Sequence, residues 1–197
     1  MSDATEPRVL PIPPGDLPEE VRTALKGWLR PDATVVPPPL DTMARHPDLT
    51  RAFLGFNRHL LFNSTLPART RELLVLRTAA ICDSEFERAQ HEVIAKREGL
   101  DDTEISRVAD GPDAAGWSDH DAALLRATDE LLSTWTLSDA TWAQLTTSLD
   151  EHQRMDLVFT VGAYAVLAMG LNAFGVHPDL DAPRPAERWV RGEGPPG

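Results

Sequence analysis

The chain has 197 residues, enough for one domain with a substantial core and too few for two of ordinary size. Its 31 acidic against 19 basic residues give a formal net charge of −12, which opposes the counterion-release binding that nucleic acids and anionic membranes require. A single cysteine, Cys82, excludes an internal disulfide, a cysteine-paired zinc site and a resolving-thiol couple, and suits a reducing cytoplasm.

Residues 1–17 contain Pro7, Pro11, Pro13 and Pro14, a density that removes backbone donors and predicts an extended arm packed on the body or on a partner subunit. The first residues are polar and acidic where a secretory signal would be basic and then apolar, so export is not expected. After Pro18, Glu19 to Leu29 can form a short helix, and Pro37-Pro38-Pro39 then breaks the chain before Leu40 to Arg45. From Pro47, Leu49, Phe53, Phe56, Leu60 and Leu61 recur at three- and four-residue steps, predicting one amphipathic helix through about Phe62. Asn63-Ser64-Thr65 reads as a turn. Pro67 can open a helix on which Leu73, Leu76 and Ala80 share a face, ending near Cys82.

Ser84 with Glu87 three residues later is a capping-box pattern, so the next helix is expected from Ser84 to about Glu98, stopped by Gly99. Asp101 to Val108 is a short helix, and Gly111 to Gly116 a loop. Ser118 to Trp135 and Ser138 to Leu149 follow, each after a capping serine. Asp150 to Val176 is a long apolar helix. Its stretch Leu157 to Val176 has no charge and is long enough to cross a bilayer, but Gly162, Ala163 and Gly170 dilute it. A helix apolar all round can equally be the centre of a bundle or lie at a subunit interface, and that is the expectation here. Beyond Pro178 the composition turns to proline, glycine and charge, a tail without a core. No alternating strand pattern occurs, so the fold class is all-α: an arm with a short helix over 1–39, a helical domain over 40–178, and a tail over 179–197.

On a helix, Ser84, Glu87 and His91 lie three and four residues apart and therefore on one stripe. A carboxylate four residues from an imidazole can orient it and favour its protonated form, which tunes a general acid or base. The neighbouring segment Arg71-Glu72-Leu73-Leu74-Val75-Leu76-Arg77 supplies a second carboxylate. Bland alternatives stand beside this: Ser84 and Glu87 can serve only as a helix cap, Glu72 can pair with Arg69, and His91 can be an ordinary core histidine. Of the remaining histidines, His46, His59, His120 and His152 read as solvated or capping, and His177, before Pro178, lies where it could reach a neighbouring subunit. A metal site is not expected, because Glu87 and His91 are four apart and position 95 is alanine, leaving neither Glu-x-x-His nor His-Glu-x-x-His.

Arg71 to Arg77 followed by Glu85-Phe86-Glu87-Arg88-Ala89-Gln90-His91-Glu92, flanked by Thr42 to Pro47 and by Val161 to Tyr164 and Asn172 to Val176, resembles the carboxymuconolactone decarboxylase and alkylhydroperoxidase D-like family over about residues 40–178. That resemblance implies a single-domain helical bundle and a homo-oligomer of trimers, dimers of trimers or dimers. In the peroxidase branch a glutamate, a Cys-x-x-Cys pair and a histidine form a relay, and those positions fall here on Glu72, Ser84, Glu87 and His91. Both cysteines are missing, so hydroperoxide reduction is not expected. Cys82, with no partner, reads as an inert helix-end thiol. The resemblance then implies decarboxylase-like, cofactor-free proton transfer on a small carboxylated lactone or related carbonyl compound. His91 would be the donor, Glu72 and Glu87 its aligning acids, and Ser84 a substrate contact. Arg88 stands where relatives often carry an aromatic residue, which leaves a cyclase or isomerase open, and so does a non-catalytic binding or assembly role.

Overall fold

The computed structural model describes residues 6–25 and 39–178. The first five residues, positions 26–29 of the expected first helix, Pro37, Pro38 and the tail 179–197 lie outside the described residues. The described residues are helical, with no strand among them. In chain order they form α1 (Glu19–Ala24), α2 (Leu40–Met43), α3 (Pro47–Arg58), α4 (Ala68–Ile81), α5 (Glu85–Arg97), α6 (Asp102–Val108), α7 (Asp119–Thr134), α8 (Asp139–Thr146) and α9 (Glu151–Phe174).

The centre of the bundle is α4, which packs on α5, α7 and α9 and buries residues on all sides, including Leu73, Leu74, Val75 and Leu76. Of these, Leu73, Leu74 and Leu76 join Leu124 and Leu125 of α7 and Leu157 and Val161 of α9 in the main core. Two arginines of α4 fasten its outer neighbours. Arg69 bridges Asp121 of α7 and Glu104 of α6, and Arg77 holds Asp129 at 2.6 Å and donates to the carbonyl oxygens of Val108 and Ala109. Arg69, the alternative partner for Glu72, is therefore engaged elsewhere.

A smaller core lies under the arm, where Leu17, Val21 and Leu25 pack on Ala44 and Leu54. The arm itself is tied to the body, since the Arg8 and Val9 N–H groups donate to the Phe174 carbonyl and that of Ile12 to Asp41. The end of α9 permits this approach. Gly175 closes the helix at φ +72°, and a Cβ there would stand 3.3 Å from the backbone of Pro7.

Two expected features differ. The helix from Pro47 does not run regularly to Phe62: α3 ends at Arg58 and the chain widens into a π-helical turn over His59–Asn63. The turn is held by Asp156 of α9, which meets His59 Nε2 at 2.8 Å and accepts from Ser64, the Thr65 N–H and the Thr65 hydroxyl. The inner face of α3 is also not its most apolar one. Thr50, Leu54 and Asn57 are buried, while Leu49 and Phe56 are 56% and 41% exposed. These two side chains face outward beside α9, where Phe56 meets Phe159 edge-on at 6.1 Å between ring centroids.

Candidate functional site

Glu72 sits at mid-length on α4, with no exposure at all, because α4 is enclosed by its neighbours. One of its oxygens, Oε2, lies 2.7 Å from His91 Nδ1 on α5, and the other, Oε1, accepts from Arg71 Nε at 3.1 Å. Glu87, one turn before His91, reaches the opposite ring edge, with Oε2 3.6 Å from His91 Nε2. The imidazole is thus flanked by two carboxyl groups from consecutive helices. A third wall comes from α9: Tyr164 is buried and meets the His91 ring edge-on at 5.0 Å and 88°.

The sharp turn between α4 and α5 sets this geometry. Asp83 adopts a left-handed backbone at φ 49°, and the Ser84 N–H is taken by the Ala79 carbonyl at 2.9 Å. Asn172 of α9 clamps the turn by donating to the Cys82 carbonyl at 2.8 Å. Ser84 occupies the N-cap position by backbone angle, but its hydroxyl caps nothing. The expected capping box is absent for a physical reason: the donor that Glu87 would have satisfied is already used, and the Glu87 carboxyl turns instead to His91. The Ser84 oxygen is buried without a hydrogen-bond partner.

Burial and the two carboxyl groups together set the acid–base balance. Burial pushes Glu87 up to about 7, with the His91 charge opposing and the Glu72 charge adding. For His91, burial favours the neutral ring, yet the charge and hydrogen bond of Glu72 and the charge of Glu87 outweigh it, and the imidazole holds its proton above the usual range. Tyr164 is held protonated well above its ordinary range by burial and by both carboxylates. Burial also raises the Cys82 thiol, which disfavours the reactive thiolate. The site is therefore a set of groups that retain protons near neutrality, with Glu72 sealed behind and only the His91 and Glu87 side chains, 7% and 5% exposed, toward the outside.

Two surface clefts lie elsewhere and are lined by none of Glu72, Glu87 and His91. One, of about 320 Å³, is apolar and runs between α3 and the end of α9. The other, of about 390 Å³, lies between α5 and α6 beside Arg88 and Lys96. Among the described residues no group of three or more His, Cys, Asp or Glu side chains is arranged to hold a metal ion. Arg71, Tyr164 and Asn172 carried no role in the sequence reading. The signal available for Tyr164 was that it is the chain's single tyrosine, set in an otherwise apolar helix.

Residues 47–130 match the model of the carboxymuconolactone decarboxylase family. No curated protein matches the chain. Among solved structures, a peroxidase-related protein from Ralstonia eutropha JMP134 with an alkylhydroperoxidase AhpD core is similar at 20% identity and a TM-score of 0.73, over 88% of this chain and 93% of that one. A peroxidase-related protein from Silicibacter sp. TM1040 is similar at 15% identity and a TM-score of 0.73, over 92% and 96%. The debrominase Bmp8, solved with 2,3,4-tribromopyrrole, is similar at 18% identity and a TM-score of 0.67, over 97% and 99%. At these identities the likeness is one of fold.

Proposed function

We propose that this chain, which matches the carboxymuconolactone decarboxylase family model over residues 47–130 and has the AhpD-like fold, is a cofactor-free proton-transfer enzyme acting on a small carboxylated lactone or related carbonyl compound. The observation that carries this reading is the buried chain Glu72–His91–Glu87, with separations of 2.7 and 3.6 Å. A general acid works best when its affinity for a proton matches the working pH, and Glu87 near 7 beside a charged imidazole meets that condition.

In decarboxylation the carbon–carbon bond to the carboxylate breaks, carbon dioxide leaves, and the electron pair stays on the ring as a dienolate. His91 then delivers its Nε2 proton to carbon, Glu87 passes its own proton to Nε2, one proton taken up from solvent restores Glu87, and Glu72 stabilises the imidazolium from behind. The unpartnered Ser84 hydroxyl is available to donate to a substrate oxygen. With one thiol in the chain there is no dithiol to cycle against peroxide. The test is release of carbon dioxide from carboxymuconolactone by the wild type and by His91→Gln. Turnover by the wild type, reduced about 10²- to 10⁴-fold in the variant, is expected. No turnover by the wild type, or an unchanged rate in the variant, contradicts the reading.

We also propose that the chain self-associates through α9, in a reducing cytoplasm that suits its single thiol. By length and composition α9 could cross a membrane, yet 44% of its most apolar window is buried in the bundle. Its outer residues Met155, Phe159, Gly162, Val166, Met169 and Ala173 are exposed and spaced four and three apart, the heptad pattern that packs against another helix of the same kind. An apolar face of this extent, joined by Leu49 and Phe56 of α3, is unusual for a monomer.

A further inference from the structure

Arg71 precedes Glu72 directly in the chain, and neighbours in sequence on a helix do not face each other. Its contact with Glu72 is therefore not a by-product of helical spacing. The guanidinium, with its side chain only 12% exposed, turns along α4, donates from Nε to Glu72 Oε1 at 3.1 Å and from Nη1 to the Leu61 carbonyl of the π-helical turn at 3.2 Å. The turn thus presents an acceptor that pins the cation in place.

A buried carboxylate needs a partner whenever it is charged, because an isolated charge away from water is strongly unfavourable. If His91 were the sole partner of Glu72, removing the imidazole proton would strand that charge, so the proton would be locked in and useless for transfer. A guanidinium stays charged throughout. We propose that Arg71 is a positioning residue that gives Glu72 a permanent cationic partner and thereby leaves His91 free to release and regain its proton. The groups facing His91 from the elements packed around it are Glu72 on α4, with Arg71 behind it, Glu87 on α5 and Tyr164 on α9. Of these, Arg71 is the one that weakens the ring's hold on its proton.

This role rests on the proton-transfer reading of the site, but its test does not depend on turnover. The His91 ring is followed by NMR across pH in the full chain, in the wild type, Arg71→Met and Arg71→Lys, with thermal unfolding measured alongside. In Arg71→Met the His91 titration should move up by about one unit or more, and in Arg71→Lys it should return most of the way to the wild-type position. A purely structural brace for Leu61 would lower the unfolding temperature of both variants and leave the His91 titration where it was. That result, or a titration in Arg71→Lys displaced as far as in Arg71→Met, overturns the proposal. Failure of carboxymuconolactone turnover with the titration shift present would sink the enzymatic reading alone.

Discussion

His91 Nδ1 and Glu72 Oε2 are 2.7 Å apart although nineteen residues separate them, and the whole site is organised around that contact. It joins two consecutive helices across a turn too tight to let Ser84 and Glu87 cap α5 in the ordinary way. Of the two side chains released from capping, that of Glu87 faces the imidazole and that of Ser84 is buried without a partner.

Ser84→Ala checks that rearrangement. A serine whose hydroxyl caps a helix loses about 1 kcal/mol when replaced by alanine. Here the hydroxyl is buried and unpartnered, so the substitution should leave stability within about 0.5 kcal/mol of the wild type or raise it. Urea unfolding at pH 7 measures this, and a loss of 1 kcal/mol or more would mean that the oxygen serves the helix after all.

Glu87→Gln tests the proton balance through stability. Folding raises the proton affinity of Glu87 from 4.5 to about 7, mainly by burial, and raises that of His91 above 6.5 through Glu72 and Glu87 against the effect of burial. Above pH 4.5 the folded state therefore binds more protons at these groups than the unfolded state does, and their contribution to stability declines as pH rises through 7. Replacing Glu87 by the uncharged amide removes its part of that decline. Relative to the wild type, the variant should gain on the order of 1–3 kcal/mol between pH 5 and pH 8. Parallel stability curves for the two proteins would show that Glu87 does not hold a proton on folding.

Much of the helical architecture was legible because each helix carries its own signals. Ser118 and Ser138 cap their helices by side chain, while the capping box of Asp150 with Gln153 and the left-handed stop at Gly175 went unread, so that α9 ends earlier than the expected Val176. The approach of Glu87 to His91 was legible from their four-residue spacing, and Glu72 from the segment that precedes them. The direction of the Ser84 hydroxyl was not, since it depends on a backbone donor that the Ala79 carbonyl satisfies across the turn. Nor was the π-helical turn, which is imposed by Asp156 from nearly a hundred residues away. The exposure of Leu49 and Phe56 departs from the simple rule that the apolar face points inward, and both lie beside the exposed apolar stripe on α9.

That stripe predicts its own test. A charge in its middle should be tolerated by the fold, because Val166 and Met169 are 59% and 55% exposed, and should prevent two copies from packing. Light scattering on the intact chain should report an oligomer for the wild type and a monomer for Val166→Glu combined with Met169→Lys, with helical content unchanged by circular dichroism. A wild type that is monomeric at the concentrations used would refute self-association through α9.

The most direct measurement is a pH titration of the Glu87 side-chain carboxyl by carbon-13 NMR in the full chain. A buried acid sharing a proton with His91 should show its midpoint near 7, in a transition also felt by the imidazole ring. A midpoint near 4.5 with no response at His91 would describe an ordinary solvated glutamate, and proton transfer through Glu72, His91 and Glu87 would have to be abandoned.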